Sequence, residues 1–593
     1  MKFFSLENKL LVRIFFLFLL IYLVFRAFFL SPYCDEISTL FEYIESKRFI
    51  ESTLKESSAN NHLLNTLFGK LFYFIFGDHF FFLRVPNILA FILYFFSIKF
   101  IVKRIIAIKY QFLTFISLNT VLWIFEYFGY LRGYGLALGF LFCAISFLLT
   151  WLESKSILKF FYTFLFIWLA VFSNLSFFNT SIIIVSYSIF ILFTEIRKQS
   201  NKDKILNLLL ILSFLIALLP LVSYSFQLKE VGALWWGNLD GLWKGTGYYL
   251  SEISLFTSDI IIKYLLITLI LVIGILGLFK LKTVGLIKFM LSSEGFFYLV
   301  FFGNILIIEV LALLFKVNYP RDRAAIQLVP FFIIVFVLFF QNINKINYLL
   351  FSLLFFPVTF FMKLNLYASV YQNNLRISNK TQQFLKNNIQ NGISYSVYGL
   401  LELPLYYQFR NDDTVKLFNS EKYSNLVEST YLITENDYKP PLYYRRVMVD
   451  EISKVSIYKT TKQFNYKVIK DTIIPFLRSE NDLLLFRGRQ IDTLLKSDNF
   501  KVEVSGKMDF SDLKTPFHLV LTIGDSLNPL NYYHDNDFSK INVSKSSVNF
   551  VWNSPVFKLE KDKTDMSIYF WNIDRHFVKY KNIHFRIISV EEK

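Results

Sequence analysis

Up to about residue 364, the chain alternates long apolar runs with short polar connections. A run of about 20 apolar residues is long enough to cross a bilayer as a helix. The pattern predicts eleven spans, at residues 11–30, 83–102, 111–128, 134–152, 158–173, 177–196, 205–227, 259–279, 296–316, 325–341 and 346–364. We therefore expect residues 1–364 to form a polytopic α-helical membrane domain.

The first connection, residues 31–82, is long enough to hold structure of its own. Within it, apolar residues recur at helical spacing at Leu63, Leu67, Leu71 and Ile75. An amphipathic helix of this kind is typical of the membrane interface. A short additional span is the alternative for this segment.

Beyond residue 364 the apolar runs shorten to strand length, and turn residues separate them. Residues 372–475 mix helical and strand patterns, which predicts a small α/β domain. In residues 476–593, runs such as 518–523 and 566–571 predict the strands of a β-sandwich. The expected architecture is thus a membrane domain followed by a soluble α/β plus β-sandwich region.

Composition agrees with a membrane protein and argues against other classes. Of the 593 residues, 54% are hydrophobic and 19% are aromatic, which exceeds what a soluble protein of this size uses. The net charge of +17 is explained by basic cytoplasmic loops, so we expect no nucleic-acid partner. Two cysteines, Cys34 and Cys143, do not indicate a disulfide framework.

Basic residues fall in alternate connections, and this predicts the orientation in the membrane. The positive-inside rule puts these connections and the N-terminus in the cytoplasm. An odd number of spans then puts the C-terminal domains outside, in the periplasm of a bacterial inner membrane. The residues concerned are Lys103, Arg104, Lys109, Lys155, Lys159, Arg197, Lys198, Lys202, Lys204, Lys280, Lys282, Lys288 and Lys345.

Polar side chains gather in the connections predicted to lie outside. The first are Asp35 and Glu36, which directly follow the first run, where two carboxylates are costly to desolvate. Each such segment also has an ordinary reading as a helix cap, a snorkelling arginine or a local ion pair. The other segments are Asn61-His62-Leu63-Leu64, Phe76-Gly77, Arg84-Val85-Pro86-Asn87, residues 130–137 (YLRGYGLA) and residues 318–323 (NYPRDR).

In this order, these segments resemble the GT-C class of membrane glycosyltransferases. That class includes the dolichyl-phosphate-mannose-protein mannosyltransferases and the lipid A aminoarabinose transferases. Its first loop carries DE, HPPL, FG and RLPS elements, and later elements are similar to residues 130–137 and 318–323. The chain departs from the pattern at two places. The double proline after His62 is missing, and Tyr130 and Leu131 stand where an acidic residue would precede Arg132.

The resemblance implies transfer of a sugar from a polyprenyl-phosphate donor to an acceptor hydroxyl, with inversion. The acceptor is a protein, a lipid or a glycan, and membrane lipid surrounds the enzyme. Asp35 is then the expected general base, with Glu36 as the second catalytic candidate. The expected donors to the phosphate are, in order of preference, the arginines Arg321, Arg323, Arg132 and Arg84.

Further residues are candidates for contact with the substrate. Glu126 lies nearly two helical turns before Arg132, where it is a candidate substitute for the missing acid. The pair Trp235-Trp236 has two readings, stacking on sugar rings or anchoring at the interface. The remaining candidates are Asn61, His62, Tyr134 and Tyr319. No metal-ligand cluster or cofactor fingerprint stands out, and a divalent cation stays an open requirement.

Two other functions stay open at this point. A transporter or flippase of a lipid-linked glycan would need ionisable residues at mid-membrane depth and repeated halves. A noncatalytic anchor that presents the C-terminal domains is the second alternative, because the acid before Arg132 is missing.

Overall fold

The structure is a computed structural model of the chain, which divides into two compact units. The first unit comprises Met1–Leu30 and Arg48–Tyr371, and the second comprises Ser31–Lys47 and Gln372–Lys593. The structure describes residues 6–45, 58–195, 201–234, 236–341, 343, 346–370, 375–388, 393–397, 399–410, 414–417, 419–420, 427–436, 438–489, 499–510, 517–524, 532–538, 546–559, 565–573 and 575–593. Of residues 195, 201–202, 414–417, 419–420, 427–428 and 532–537, it describes the backbone only.

Long apolar helices dominate the first unit. Among the described residues, seven are long and apolar enough to cross a membrane: Lys9–Phe29, Phe80–Ile105, Gly133–Ser154, Leu175–Thr194, Asp203–Glu230, Ile260–Val284 and Ser293–Phe315. An eighth candidate is the pair Ile108–Asn119 and Leu122–Gly129, which is bent by 55°. The chain is therefore a multi-pass membrane protein, as predicted.

The three remaining predicted spans coincide with shorter apolar helices. These are Ile157–Ser173, Leu328–Phe340 and Asn347–Met362, each shorter than the roughly 20 residues that the hydrocarbon core requires of a straight helix. The amphipathic segment in the first connection is also a helix, Leu63–Phe76. Its Leu67, Leu71 and Ile75 are exposed, which fits the predicted interfacial position.

Short elements complete the first unit. They include the helices Trp243–Gly247, Tyr248–Leu255, Leu286–Met290 and Asp322–Ala325, and an antiparallel pair of two-residue strands, Gly237–Asn238 and Tyr319–Pro320. Close helix packing depends on small residues. A Cβ at Gly139 would lie 2.6 Å from the carbonyl oxygen of Ala90, so glycine lets the two helices concerned approach.

The second unit contains a mixed five-stranded sheet. Its strand order is Asn419–Ser420, Tyr395–Val397, Tyr431–Glu435, Val455–Thr460 and Tyr444–Asp450. The first three strands are mutually parallel, and the last two pair antiparallel. Helices Asn379–Asn388 and Glu402–Phe409 contribute Leu385, Leu405 and Phe409 to its apolar core, which gives an α/β arrangement.

Two further sheets pack face to face as a β-sandwich. The larger, seven-stranded sheet is built from Phe464–Ser479, Val578–Glu592, Asn499–Phe510, Ser547–Asn553, Thr414–Leu417, Val556–Lys558 and Val427–Glu428. The smaller sheet has the order Leu483–Gly488, Asp565–Asn572, Phe517–Gly524 and Tyr532–Asp537. Both contribute to one core, with Val502 and Val504 from the first and Leu519 and Leu521 from the second. The sandwich thus includes strands earlier than the predicted boundary at 476.

The segment that follows the first apolar helix belongs to the second unit. It forms the helix Cys34–Ser38 and the π-helix Thr39–Ile44. Nη1 of Arg376 donates to the Ser31 carbonyl at 2.7 Å, and Arg410 pairs with Glu45 at 3.0 Å. Phe41 packs against the sandwich core. The sequence pattern predicts this segment as part of the membrane domain, because its partners lie hundreds of residues later in the chain.

Candidate active site

The acidic pair lies in the first turn of the helix Cys34–Ser38, and its two carboxylates have different surroundings. Glu36 is fully buried, and its Oε2 accepts from the Tyr33 backbone N–H at 3.3 Å, which caps the helix. Asp35 is only partly buried. Asp35 is therefore the better placed of the two to meet a substrate, and Glu36 has a structural contact of its own.

His62 occupies the N-cap position of the helix Leu63–Phe76, without a side-chain capping bond, and lies among residues from other motif segments. Its ring meets the Tyr134 ring edge-on, with centroids 4.9 Å apart, and it hydrogen-bonds to the Ser173 backbone. Burial, together with the nearby cations of Arg132 and Arg323, holds the pKa of His62 well below its usual value. The imidazole is therefore neutral at physiological pH.

Gly133 makes this close approach possible. A Cβ at this position would lie 2.0 Å from the carbonyl oxygen of Ser173 and 2.9 Å from Cβ of His62. Only a residue without a side chain leaves room for the three segments to meet. The glycine that follows Arg132 in the sequence motif thus has a packing role beside His62.

Arg132 is buried at the start of the helix Gly133–Ser154. Its guanidinium group donates to Asn60, at 3.3 Å to the backbone oxygen and 2.5 Å to Oδ1. Asn60 lies two residues before His62. Arg132 is therefore hydrogen-bonded to the first connection, although 72 residues separate it from Asn60 in the chain.

The two arginines of residues 318–323 have different surroundings. The side chain of Arg321 is 43% exposed, lies 3.6 Å over the Tyr249 ring and pairs with Asp322 at 3.5 Å. Arg323 is buried and lies 4.7 Å over the Trp236 ring. Of the two arginines, Arg323 is the one whose charge contributes to the lowered pKa of His62. Trp235 lies outside the described residues.

Two predicted substrate-contact residues have partners within the protein. The hydroxyl of Tyr319 donates to Oε1 of Glu309 at 3.2 Å. Oδ1 of Asn61 accepts from the Thr66 hydroxyl at 2.9 Å. Contact of Asn61, Tyr134 and Tyr319 with a substrate stays a prediction.

Arg84 is fully buried and holds the end of the first helix. Its Nη1 donates to the backbone oxygens of Ala27 and Leu30, at 2.9 and 2.8 Å. Carbonyl groups in the last turn of a helix have no partner within the helix, so these bonds are a form of capping. The contacts favour a structural role for Arg84 over the predicted contact with phosphate.

Glu126 is also surrounded by structural partners. Its carboxylate pairs with Arg26 and accepts hydrogen bonds from the Tyr130 hydroxyl, the Ser369 hydroxyl and the Val370 backbone N–H. These bonds join three parts of the first unit that are remote in sequence. They favour a structural role for Glu126 over substitution for the missing acid.

Three polar residues near His62 were not singled out from the sequence. Asn174 follows the helix Ile157–Ser173, and Ser176 lies in the 3₁₀ turn Leu175–Phe177 that opens the next apolar helix. Gln327 donates to the Ser176 carbonyl at 3.2 Å. The signal available was a polar break between two predicted spans, on the same predicted side as Asp35. Within the described ranges, no group of three or more His, Cys, Asp and Glu residues could hold a metal ion.

Comparison with known proteins gives loose structural likenesses only. No protein-family model matches the sequence, and no curated protein matches it. ArnT from Cupriavidus metallidurans bound to undecaprenyl phosphate is 11% identical, with a TM-score of 0.37 over 75% of this chain and 97% of that one. Its apo form has a TM-score of 0.30 at the same identity and coverage.

A second similar structure is arabinosyltransferase EmbB from Mycobacterium smegmatis. It is 8% identical, with a TM-score of 0.34 over 97% of this chain and 64% of that one. These likenesses are loose, so no residue role is taken from them. ArnT and EmbB are GT-C membrane glycosyltransferases, the class that the sequence motifs of this chain resemble.

Proposed function

We propose that this protein transfers a sugar from a polyprenyl-phosphate donor to an acceptor hydroxyl, on the periplasmic face of a bacterial inner membrane. One observation carries the proposal. His62 and Arg132 come from separate motif segments that meet at Gly133, where a Cβ would lie 2.9 Å from Cβ of His62, and the charge of Arg323, from a third segment, also lowers the pKa of His62. Motifs that are remote in sequence meet at one place when they serve one site.

The two buried arginines suit a lipid phosphate. In the reaction the phosphate is the leaving group, and negative charge develops on it as the bond to the sugar breaks. Guanidinium groups donate charge-assisted hydrogen bonds to phosphate oxygens, and such bonds are stronger where water is excluded. Arg132 and Arg323 are both buried, so they are the preferred phosphate donors, ahead of the half-exposed Arg321.

Asp35 is the general base in this proposal. Its carboxylate takes the proton of the acceptor hydroxyl as the acceptor oxygen bonds to the anomeric carbon. The bond from that carbon to the phosphate oxygen breaks at the same time, and the lipid phosphate leaves with the electron pair. Attack from the face opposite the leaving group inverts the anomeric centre. The acceptor is a hydroxyl of a protein, a lipid or a glycan.

The proposal is tested with purified full-length protein and undecaprenyl-phosphate-linked glucose, mannose, galactose and arabinose. Release of undecaprenyl phosphate from any of them, dependent on the protein, supports sugar transfer. Mass spectrometry of envelope glycans, lipids and glycoproteins from a deletion strain then identifies the acceptor by the sugar that is lost. An unchanged envelope together with no release would favour a transporter or a noncatalytic anchor instead.

A further inference from the structure

Four buried polar atoms lie on neighbouring elements without a hydrogen-bond partner in the described part of the chain. They are Nε2 of His62, Nδ2 of Asn174, Oγ of Ser176 and Oε1 of Gln327. Each side chain also belongs to a segment that borders the proposed site. A buried polar atom without a partner is destabilising, and native proteins leave few of them. Four in one region need an explanation.

Direct contacts tie these residues to one another. His62 hydrogen-bonds to the backbone of Ser173, which immediately precedes Asn174. Oδ1 of Asn174 accepts from the Ser176 backbone N–H at 2.9 Å. Nε2 of Gln327 donates to the Ser176 carbonyl oxygen at 3.2 Å. The start of one helix, the break at 174–176 and the stretch after Arg323 therefore meet in one place.

The hydrogen bond to Ser173 determines which nitrogen of the imidazole carries the proton and which one accepts. Because Nε2 is the nitrogen without a partner, Nδ1 makes the bond to Ser173 and carries the proton of the neutral ring. Nε2 is then an acceptor. The four atoms thus comprise two acceptors, on His62 and Gln327, one amide donor on Asn174, and one hydroxyl on Ser176 that serves as either.

This mixture of donors and acceptors matches a sugar rather than a phosphate. A sugar hydroxyl donates one hydrogen bond and accepts others, so several hydroxyl groups can satisfy all four atoms. A fully ionised phosphate only accepts, and it would leave the acceptors of His62 and Gln327 without a partner. Arg132 and Arg323 instead provide the hydrogen-bond donors that phosphate oxygens need.

We propose that His62, Asn174, Ser176 and Gln327 form the subsite that binds the hydroxyl groups of the donor sugar. Arg132, which donates to Asn60 two residues before His62, and Arg323 hold the phosphate to which that sugar is attached. The inference rests on the proposed function and adds three residues that the motifs do not contain. Residues 174–176, between two apolar helices, would then determine which donor sugar is bound.

Two substitutions test the subsite with little disturbance of the free protein. Ser176→Ala removes a hydroxyl that bonds to nothing in the described chain, so it should not lower the melting temperature. Asn174→Ser keeps a side-chain oxygen able to cap the Ser176 N–H and removes the Nδ2 donor without adding a charge. Ser188→Ala is the matched control. Ser188 lies in the helix Phe178–Glu195, and its hydroxyl donates to the Ile184 carbonyl within that helix.

The measurement is binding of undecaprenyl phosphate and of its glucose, mannose, galactose and arabinose derivatives to full-length protein in nanodiscs. Wild-type protein and the Ser188→Ala control should bind at least one derivative more tightly than bare undecaprenyl phosphate. Each test variant should reduce that preference about three- to tenfold, the effect of one lost hydrogen bond, with binding of the bare lipid unchanged.

Two outcomes would overturn the subsite. One is a wild-type protein that binds every derivative and the bare lipid equally. The other is a preference that survives both test variants. A different result, failure of the wild-type protein to bind undecaprenyl phosphate at all, would count against the proposed function itself, and the subsite would fall with it.

Discussion

Arg26 and Glu126 form a buried ion pair, with Nη2 of the arginine 2.5 Å from Oε1 of the glutamate. Arg26 also donates to the backbone oxygens of Asn365 and Ala368, and Glu126 accepts from Ser369 and Val370. The pair thus holds residues 365–370, which follow the last apolar helix of the first unit. Two charges of opposite sign are needed here because neither could be buried alone.

We expect Glu126→Gln to destabilise the protein. Breaking a buried ion pair from one side leaves the other charge without compensation, which typically costs about 3–5 kcal/mol. The melting temperature in detergent should fall clearly. Glu153→Gln is the control, because Glu153 pairs with Arg104 at an exposed position where the loss is about 1 kcal/mol or less. Equal melting temperatures for the two variants would contradict the structural role of Glu126.

Asp35→Asn should abolish detectable sugar transfer while the protein stays folded. Loss of a general base slows a reaction by about 10²- to 10⁴-fold. Glu36→Gln should reduce the rate less, and it should lower the melting temperature, because Glu36 caps its helix. Initial rates and melting curves of both purified variants distinguish these effects. Transfer by Asp35→Asn at the wild-type rate would rule out the assignment of the base.

Arg323→Ala should weaken use of the donor more than Arg321→Ala. A charge-assisted hydrogen bond contributes about 1.5–3 kcal/mol, which is roughly 10- to 100-fold in affinity. Arg323 is buried, whereas Arg321 is half-exposed and already pairs with Asp322. Titration of donor against each variant measures the difference, with Arg13→Ala as an exposed control. Unchanged donor dependence in Arg323→Ala would leave Arg132 as the principal phosphate donor.

Stability should fall on acidification below about pH 6.5 through His62. Its pKa in the folded protein lies below the value of 6.5 that it has when unfolded. The unfolded chain therefore binds a proton first as the pH drops, and stability is lost by up to about 1.4 kcal/mol per pH unit. Melting temperatures between pH 7.5 and 5.5 should show this slope. The slope should shrink in His62→Gln and persist in His79→Gln, whose ring is exposed.

The proposed site requires Asp35, Arg132 and Arg323 to lie on one side of the membrane. Basic loops predict that side to be the periplasm, together with residues 365–593. A reporter that is active only in the periplasm should work when fused after Lys593 and stay silent when fused near Lys202. A stable but silent C-terminal fusion would mean that the number of spans is even. If the miscounted span lay between Asp35 and Arg323, these two residues would be on opposite faces of the membrane and could not form one site.

The sequence predicted elements well because apolar periodicity reflects local burial. All eleven predicted spans are helical, and the runs at 518–523 and 566–571 are strands of the sandwich. Partners were harder to predict, since they depend on tertiary contacts. Nothing local to Arg84 or Glu126 indicates that one caps a helix and the other holds a distant segment. Ser176 lies in a polar break that the sequence does show, but its partner Gln327, which donates to the Ser176 carbonyl, is found only from the fold.

The attachment of residues 31–45 to the second unit also has a consequence for biosynthesis. Ser31 must wait for Arg376, which lies 345 residues later and is made tens of seconds afterwards at about 5–20 residues per second. Until then the helix that carries Asp35 lacks this contact. A nascent or truncated chain can therefore insert its apolar helices and still lack a positioned base. If the proposed base assignment is right, activity begins only once the residues that hold this helix have been made and folded.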